Sequence, residues 1–126
     1  MRAGMNEWNN ADTLVQFSVN TNSKNTAVAE QRADSWSGVC ISTVSGVTTL
    51  RFDIILNERN IRAYAANLDK TISAVFAHEL GHVISLRDNP YLYGGSYDSL
   101  MNYIYDLNNF SKIPEYDVIS VKMMYY

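Results

Sequence analysis

The chain has 126 residues, 47% of them hydrophobic, and a formal net charge of −3, which suits one domain with a single core and argues against a nucleic-acid groove or a polybasic membrane anchor. No apolar run approaches the roughly 18 residues needed to span a bilayer, and the first residues lack a signal-peptide pattern, although a mature exported form would look the same. Cys40 is the single cysteine, so an intrachain disulfide is excluded and a buried, inert thiol is its expected role.

In chain order, Met1, Met5 and Trp8 have helical spacing, and Asn9-Asn10 signal a stop. A helix that begins at the first residue suggests that an upstream strand is absent. Leu14, Val15, Phe17 and Val19 are expected as a strand, followed by a polar loop from Asn20 to Asn25. Residues 26 to 37 are open between a short helix over Ala27 to Ala33, irregular chain, and a strand beginning near Trp36 and Gly38. Val39 to Val44 is a strand, Ser45-Gly46 a turn, and Thr48 to Leu56 a strand with Leu50, Phe52, Ile54 and Leu56 on one face.

After Asn57 the period changes. Asn60 to Asn67 reads as irregular, and Asn67 or Asp69 caps a helix running through Thr71 to about Ser85, with Ile72, Val75, Phe76 and Leu80 in the core. From Asp88 to Leu100 the chain is rich in Asn, Pro, Gly and Tyr, which suits a cleft wall. Pro114 and Glu115 open a last helix on which Val118, Ile119, Lys122 and Met123 are divided between apolar and solvated faces.

The chemistry concentrates in His78-Glu79-Leu80-Gly81-His82 and the residues up to Asp88. Histidines four apart lie on one helical face and can offer nitrogens to a single ion at about 2.0–2.1 Å. Glu79, about 100° round the axis, can reach a water at the metal without ligating it. Catalytic zinc takes three protein ligands, and Asp88 is the nearest third. The same pentapeptide can occur by chance on a solvated helix, and Asp88 can be an ordinary aspartate before Asn89-Pro90. Against this, His78 and His82 are the only histidines, and their apolar flanks would bury Glu79 and two imidazoles at a cost that a metal site would explain.

His78 to Asp88, followed by Ser99-Leu100-Met101-Asn102-Tyr103, resembles the metzincin clan of zinc metallopeptidases, and most of all small bacterial members such as the snapalysins, with aspartate as third ligand, and matrixin-like proteins. The likeness covers nearly the whole chain. It implies an α+β domain over 1–126: a twisted mixed sheet packed on the active-site helix, a methionine turn, and a C-terminal helix holding Asp117, Ile119 and Tyr125. It also implies that His78, His82 and Asp88 bind Zn2+, that Glu79 is the general base, and that Met101 lies beneath the metal, where core packing is nearly the same claim. Tyr103 matches a tyrosine that assists the oxyanion in some relatives, with a structural ring as the alternative.

Three departures stand out. Ser85 replaces a glycine that leaves the helix in a left-handed conformation, at roughly 1–2 kcal/mol for a side-chain-bearing residue. The opening strand of the family is expected to be absent or truncated before Met1, and Cys40 is not expected to be the inhibitory cysteine that some relatives carry upstream. The implied function is endopeptidase action by zinc-activated water with Glu79 as base. Substrate would pair with an edge strand over Phe52 to Asn57 beside an aromatic wall of Tyr91, Leu92, Tyr93 and Tyr97. A secreted monomer acting on protein or peptide substrates, with room for a structural Ca2+, completes the expectation. The competing reading is a zinc-retaining binding or regulatory protein with little turnover.

Overall fold

The computed structural model describes residues 1–46, 48–89, 98–102, 108 and 110–126. Helix α1 spans Arg2–Asn10, strand β1 Thr26–Glu30, β2 Gly38–Ser45 and β3 Thr48–Asn57; helices α2, α3 and α4 span Glu58–Tyr64, Leu68–Val83 and Glu115–Tyr125. Together they form a small α+β domain with a three-stranded mixed sheet in the order β1-β3-β2. β1 runs parallel to β3, and β2 runs antiparallel to it through a turn in which Gly46 has φ +61°.

In the second half of β3 the even-numbered residues Phe52, Ile54 and Leu56 turn toward the core. Ile54 and Leu56 are fully buried and join Ala74, Val75, Ala77 and Leu80 of α3 in the core. Leu50, expected on that face, is 63% exposed because the β2–β3 register shifts there: Thr43 pairs with Arg51 and Val44 with Thr49, so Leu50 falls at a bulge, and Thr49 is the residue that reaches Val83 of α3. On the other side of α3, α1 inserts Trp8, whose indole Nε1 donates to the Ala77 carbonyl at 2.8 Å. Asn67 caps α3 by accepting from the Lys70 amide at 3.1 Å, an N-cap worth about 1 kcal/mol.

Several expectations are corrected. Leu14 to Val19 does not join the sheet, because Asn9 binds the peptide of Phe17 on both sides, donating to its carbonyl at 2.7 Å and accepting from its amide at 2.6 Å. The region 26 to 37 contains a strand, β1, whose side chains are all exposed and which is set by backbone pairing with β3. Most of the stretch before Asn67 is helical: α2 follows directly from β3 and buries Ile61. On α4 the inward stripe is Asp117, Val118 and Val121, whereas Ile119 and Met123 point outward, Met123 at 80% exposure. Finally, Phe52 to Asn57 is no edge. β3 is paired on both sides, and the strand beside the cleft is β2.

Candidate metal centre

α3 brings His78 and His82 together with their rings edge to face, centroids 4.8 Å apart. Each Nδ1 faces a backbone carbonyl, that of Leu100 for His78 at 2.8 Å and that of Leu86 for His82 at 2.9 Å. A carbonyl only accepts, so Nδ1 carries the proton and the neutral ring keeps its lone pair on Nε2. Both Nε2 atoms point at Asp88 Oδ1, at 3.0 and 3.3 Å. Three acceptor atoms facing one another at these distances are reconciled by a metal ion or by a proton on an imidazole. Four-coordinate zinc spaces its ligand atoms about 3.3 Å apart, and the three donor atoms lie within 4.8 Å of one another. Two imidazoles and a carboxylate, with the distal nitrogens anchored, form a donor set suited to zinc. In its absence a proton serves: burial disfavours the His78 imidazolium, but the bond to Asp88, the Leu100 carbonyl and the charges of Glu79 and Asp88 outweigh it and raise the pKa. The hydrogen bond from His78 in turn lowers that of Asp88.

Asp88 is delivered by the way α3 ends. Ser85 has φ +72°, in the left-handed region. The Leu86 amide reaches back to the Gly81 carbonyl at 3.0 Å and the Ser85 amide to that of His82 at 3.0 Å, the bond pair of a glycine-type helix terminus built here with serine. The remaining end carbonyls are also occupied: Thr49 Oγ1 donates to Val83 and the Tyr125 hydroxyl to Ile84 at 2.9 Å. These bonds hold a corner that the backbone of serine resists. Ser85→Gly is therefore expected to raise stability by about 1 kcal/mol, or roughly 3–5 °C in Tm. A lower Tm would mean that the serine side chain holds the corner by more than its backbone strains it.

A turn at residues 99–101, held by Asp117 of α4, supports the cluster. Asp117, 1% exposed, accepts from Ser99 Oγ at 2.6 Å and from the Leu100 amide at 2.7 Å, fixing the carbonyl that holds His78. Ser99 Oγ also accepts from the Met101 amide and Asn89 Nδ2, while the Asn89 amide donates to the Met101 carbonyl at 2.7 Å, tying the neighbour of Asp88 to the same turn. Burial raises the Asp117 pKa against the lowering by Ser99 and Leu100. Sequence reasoning placed Asp117 on the last helix without this role; an acid on the stripe of Val118 and Val121 was the available signal. Met101 is buried against α3, where a methyl group at Gly81 would fall 2.6 Å from its Sδ.

Glu79 stands outside the ligand cluster, 5% exposed. Burial pushes its carboxyl up to about 7, opposed by the charge of His78 and assisted by that of Asp88. With the triad it lines a cleft of about 720 Å³ whose opposite wall includes Gly38, Cys40, Ser42 and Val44 of β2. Cys40 is half-buried, and burial, followed by the charges of Glu79 and Asp53, raises its thiol to about 11, far from a reactive thiolate. Tyr103 and the wall residues Tyr91, Leu92, Tyr93 and Tyr97 lie outside the described residues.

Among the described residues, His78, His82 and Asp88 form the one group of three or more His, Cys, Asp or Glu side chains able to share an ion, so no second cluster speaks for calcium. Among them, too, no helix is long and apolar enough to cross a membrane. No protein-family model, curated protein or solved structure matches the chain. What the geometry itself gives is a small α+β domain carrying a His-His-Asp cluster that could hold a divalent metal ion such as zinc.

Proposed function

We propose that the chain is a zinc-dependent endopeptidase of the metzincin type, in which His78, His82 and Asp88 hold the metal and Glu79 is the general base. The observation that supports this most is the aim of both Nε2 atoms at Asp88 Oδ1, with a buried carboxylate beside them on the same helix and an open cleft in front. Zinc, when bound, supplies a Lewis acid that polarises the scissile carbonyl and makes water more acidic. Glu79 takes the proton of the attacking water and passes it to the leaving amine. Leu100 and Leu86 keep the imidazoles oriented through their carbonyls. Met101 contributes packing under the helix.

Substrate enters extended along β2. Its partner strand β3 occupies one side, and its other edge borders the cleft, so a peptide laid there gains main-chain hydrogen bonds with little sequence demand. A secreted monomer acting on proteins or peptides, with Tyr103 as oxyanion donor, goes with this reading through the sequence resemblance. The alternative of a weakly active binding protein draws in part on Ser85 as a distortion of the third ligand. Ser85 adopts the turn and Asp88 lies beside both histidines, which weighs against that part of it.

The test is metal content with activity. Elemental analysis is expected to find about one zinc per chain, and casein hydrolysis to stop on chelation and return with zinc. Failure to retain zinc after loading at neutral pH would refute the site. Retained zinc without cleavage of casein or of a mixed peptide pool would favour the binding protein.

A further inference from the structure

We infer that Gly38 is a positioning residue for Glu79: the absence of a side chain at the first position of β2 leaves the space in which the Glu79 carboxylate is seated. A Cβ at Gly38 would lie 2.7 Å from Glu79 Oε1, 3.0 Å from Glu79 Cγ and 2.8 Å from Val75 Cγ1. Two of these three atoms belong to Glu79, so the close approach of strand to helix is centred on that side chain. The catalytic consequence rests on the peptidase reading above; the seating does not.

The strand cannot easily retreat from a new methyl group. Gly38 pairs with Leu56, and the Asn57 amide donates to the Ser37 carbonyl at 2.8 Å. The chain leading into Gly38 is held from below by the fully buried Asn57. Its Nδ2 donates to the Asp34 and Trp36 carbonyls at 3.0 and 3.1 Å, and its Oδ1 accepts from the Arg32 amide at 3.1 Å. From α2, Asn60 Nδ2 donates to the Ser35 carbonyl and to Ser37 Oγ, and the Tyr64 hydroxyl donates to Ser37 Oγ. Val75 is branched at Cβ on a buried helix and has one strongly preferred rotamer there. Of the groups that meet at this point, the Glu79 side chain is the one with free torsions, and it is the one that moves.

Gly38→Ala therefore displaces the carboxylate while leaving both histidines and Asp88 in place. A double-mutant cycle with Glu79→Ala tests the seating by thermal denaturation of the zinc-loaded chain. The Tm loss caused by Gly38→Ala is expected to shrink by at least half once Glu79 is truncated, since two of the three clashing atoms are then gone. A Gly38→Ala chain that unfolds alone yet folds together with Glu79→Ala gives the same answer. An equal loss in both backgrounds, or unfolding in both, overturns the proposal. For catalysis, Gly38→Ala is expected to retain one zinc, keep KM within about threefold and lower kcat by about 10²-fold, the penalty of misplacing a reacting group by around 1 Å. An unchanged kcat overturns the positioning role. A parent chain that does not cleave peptides fails the endopeptidase reading, while the stability cycle still decides the seating.

Discussion

Replacing Glu79 by glutamine is expected to leave zinc bound and to lower peptidase activity by about 10²–10⁴-fold, the usual worth of a general base. The amide has nearly the shape of the carboxylate and fills the same space under Gly38 and beside Val75, so packing is preserved while proton transfer is lost. Glu79 is not among the clustered ligand residues, which is why metal content is expected to stay at the parent level. Stability should move the other way. In the metal-free chain the carboxyl is held at about 7 by burial, above its ordinary 4.5. A raised carboxyl pKa means that the folded state loses stability as pH rises from the unfolded value to the folded one. Glutamine carries no such penalty, so metal-free Glu79→Gln should melt above the metal-free parent at pH 8. Full activity with zinc retained would eliminate Glu79 as the base.

The second large effect is removal of the metal. A ligand that binds only the folded chain stabilises it by about 4 kcal/mol at a thousandfold excess over Kd, so stripping zinc is expected to lower Tm by roughly 10–20 °C. The pH dependence of what remains should differ in kind. Zinc needs neutral imidazoles, so its affinity for the chain falls progressively once pH drops below the raised pKa that His78 has in the metal-free state. In the stripped chain the His78–Asp88 ion pair replaces the metal. His78, with its folded pKa raised, contributes fully below its unfolded value and loses that contribution as pH rises through the folded one. Asp88, with its folded pKa lowered, contributes above its unfolded value and loses that as pH falls through the folded one. The pair is therefore strongest between about pH 4 and 6.5. Thermal melts of stripped and loaded protein across pH 4–8 check this, and an unchanged Tm on chelation would eliminate the metal site.

The triad was legible because its information is local. Two histidines at helical spacing need only α3 to share a face, and Asp88 needs only the corner at Ser85. β2 and β3 were legible from alternation and a glycine turn. What the sequence concealed depends on long-range packing. The alternation of Leu14, Val15, Phe17 and Val19 is the pattern of a strand, but the side chain of Asn9 had already satisfied the Phe17 peptide. β1 carries no burial alternation because its side chains are all exposed, and only its parallel partner defines it. α2 is a seven-residue helix flanked by asparagines that read as breakers. Gly38 and Asp117 matter through contacts with segments distant in sequence, Glu79 and the Ser99-Leu100 peptide respectively; no local pattern marks Gly38, and for Asp117 an acid on the stripe of Val118 and Val121 shows burial but not its partner.

The support that α4 gives the centre has a consequence for how the protein is made. His78, Glu79, His82 and Asp88 leave the ribosome well before Asp117, yet the Ser99-Leu100 turn whose carbonyl orients His78 is held by the Asp117 carboxylate, and the end of α3 receives the Tyr125 hydroxyl later still. Synthesis proceeds at about 5–20 residues per second, so for roughly 1–6 seconds the nascent chain displays His78, His82 and Asp88 without the Asp117 anchor. On the peptidase reading proposed above, competence would arrive with the last helix, and a growing chain would be spared its own activity until α4 has emerged.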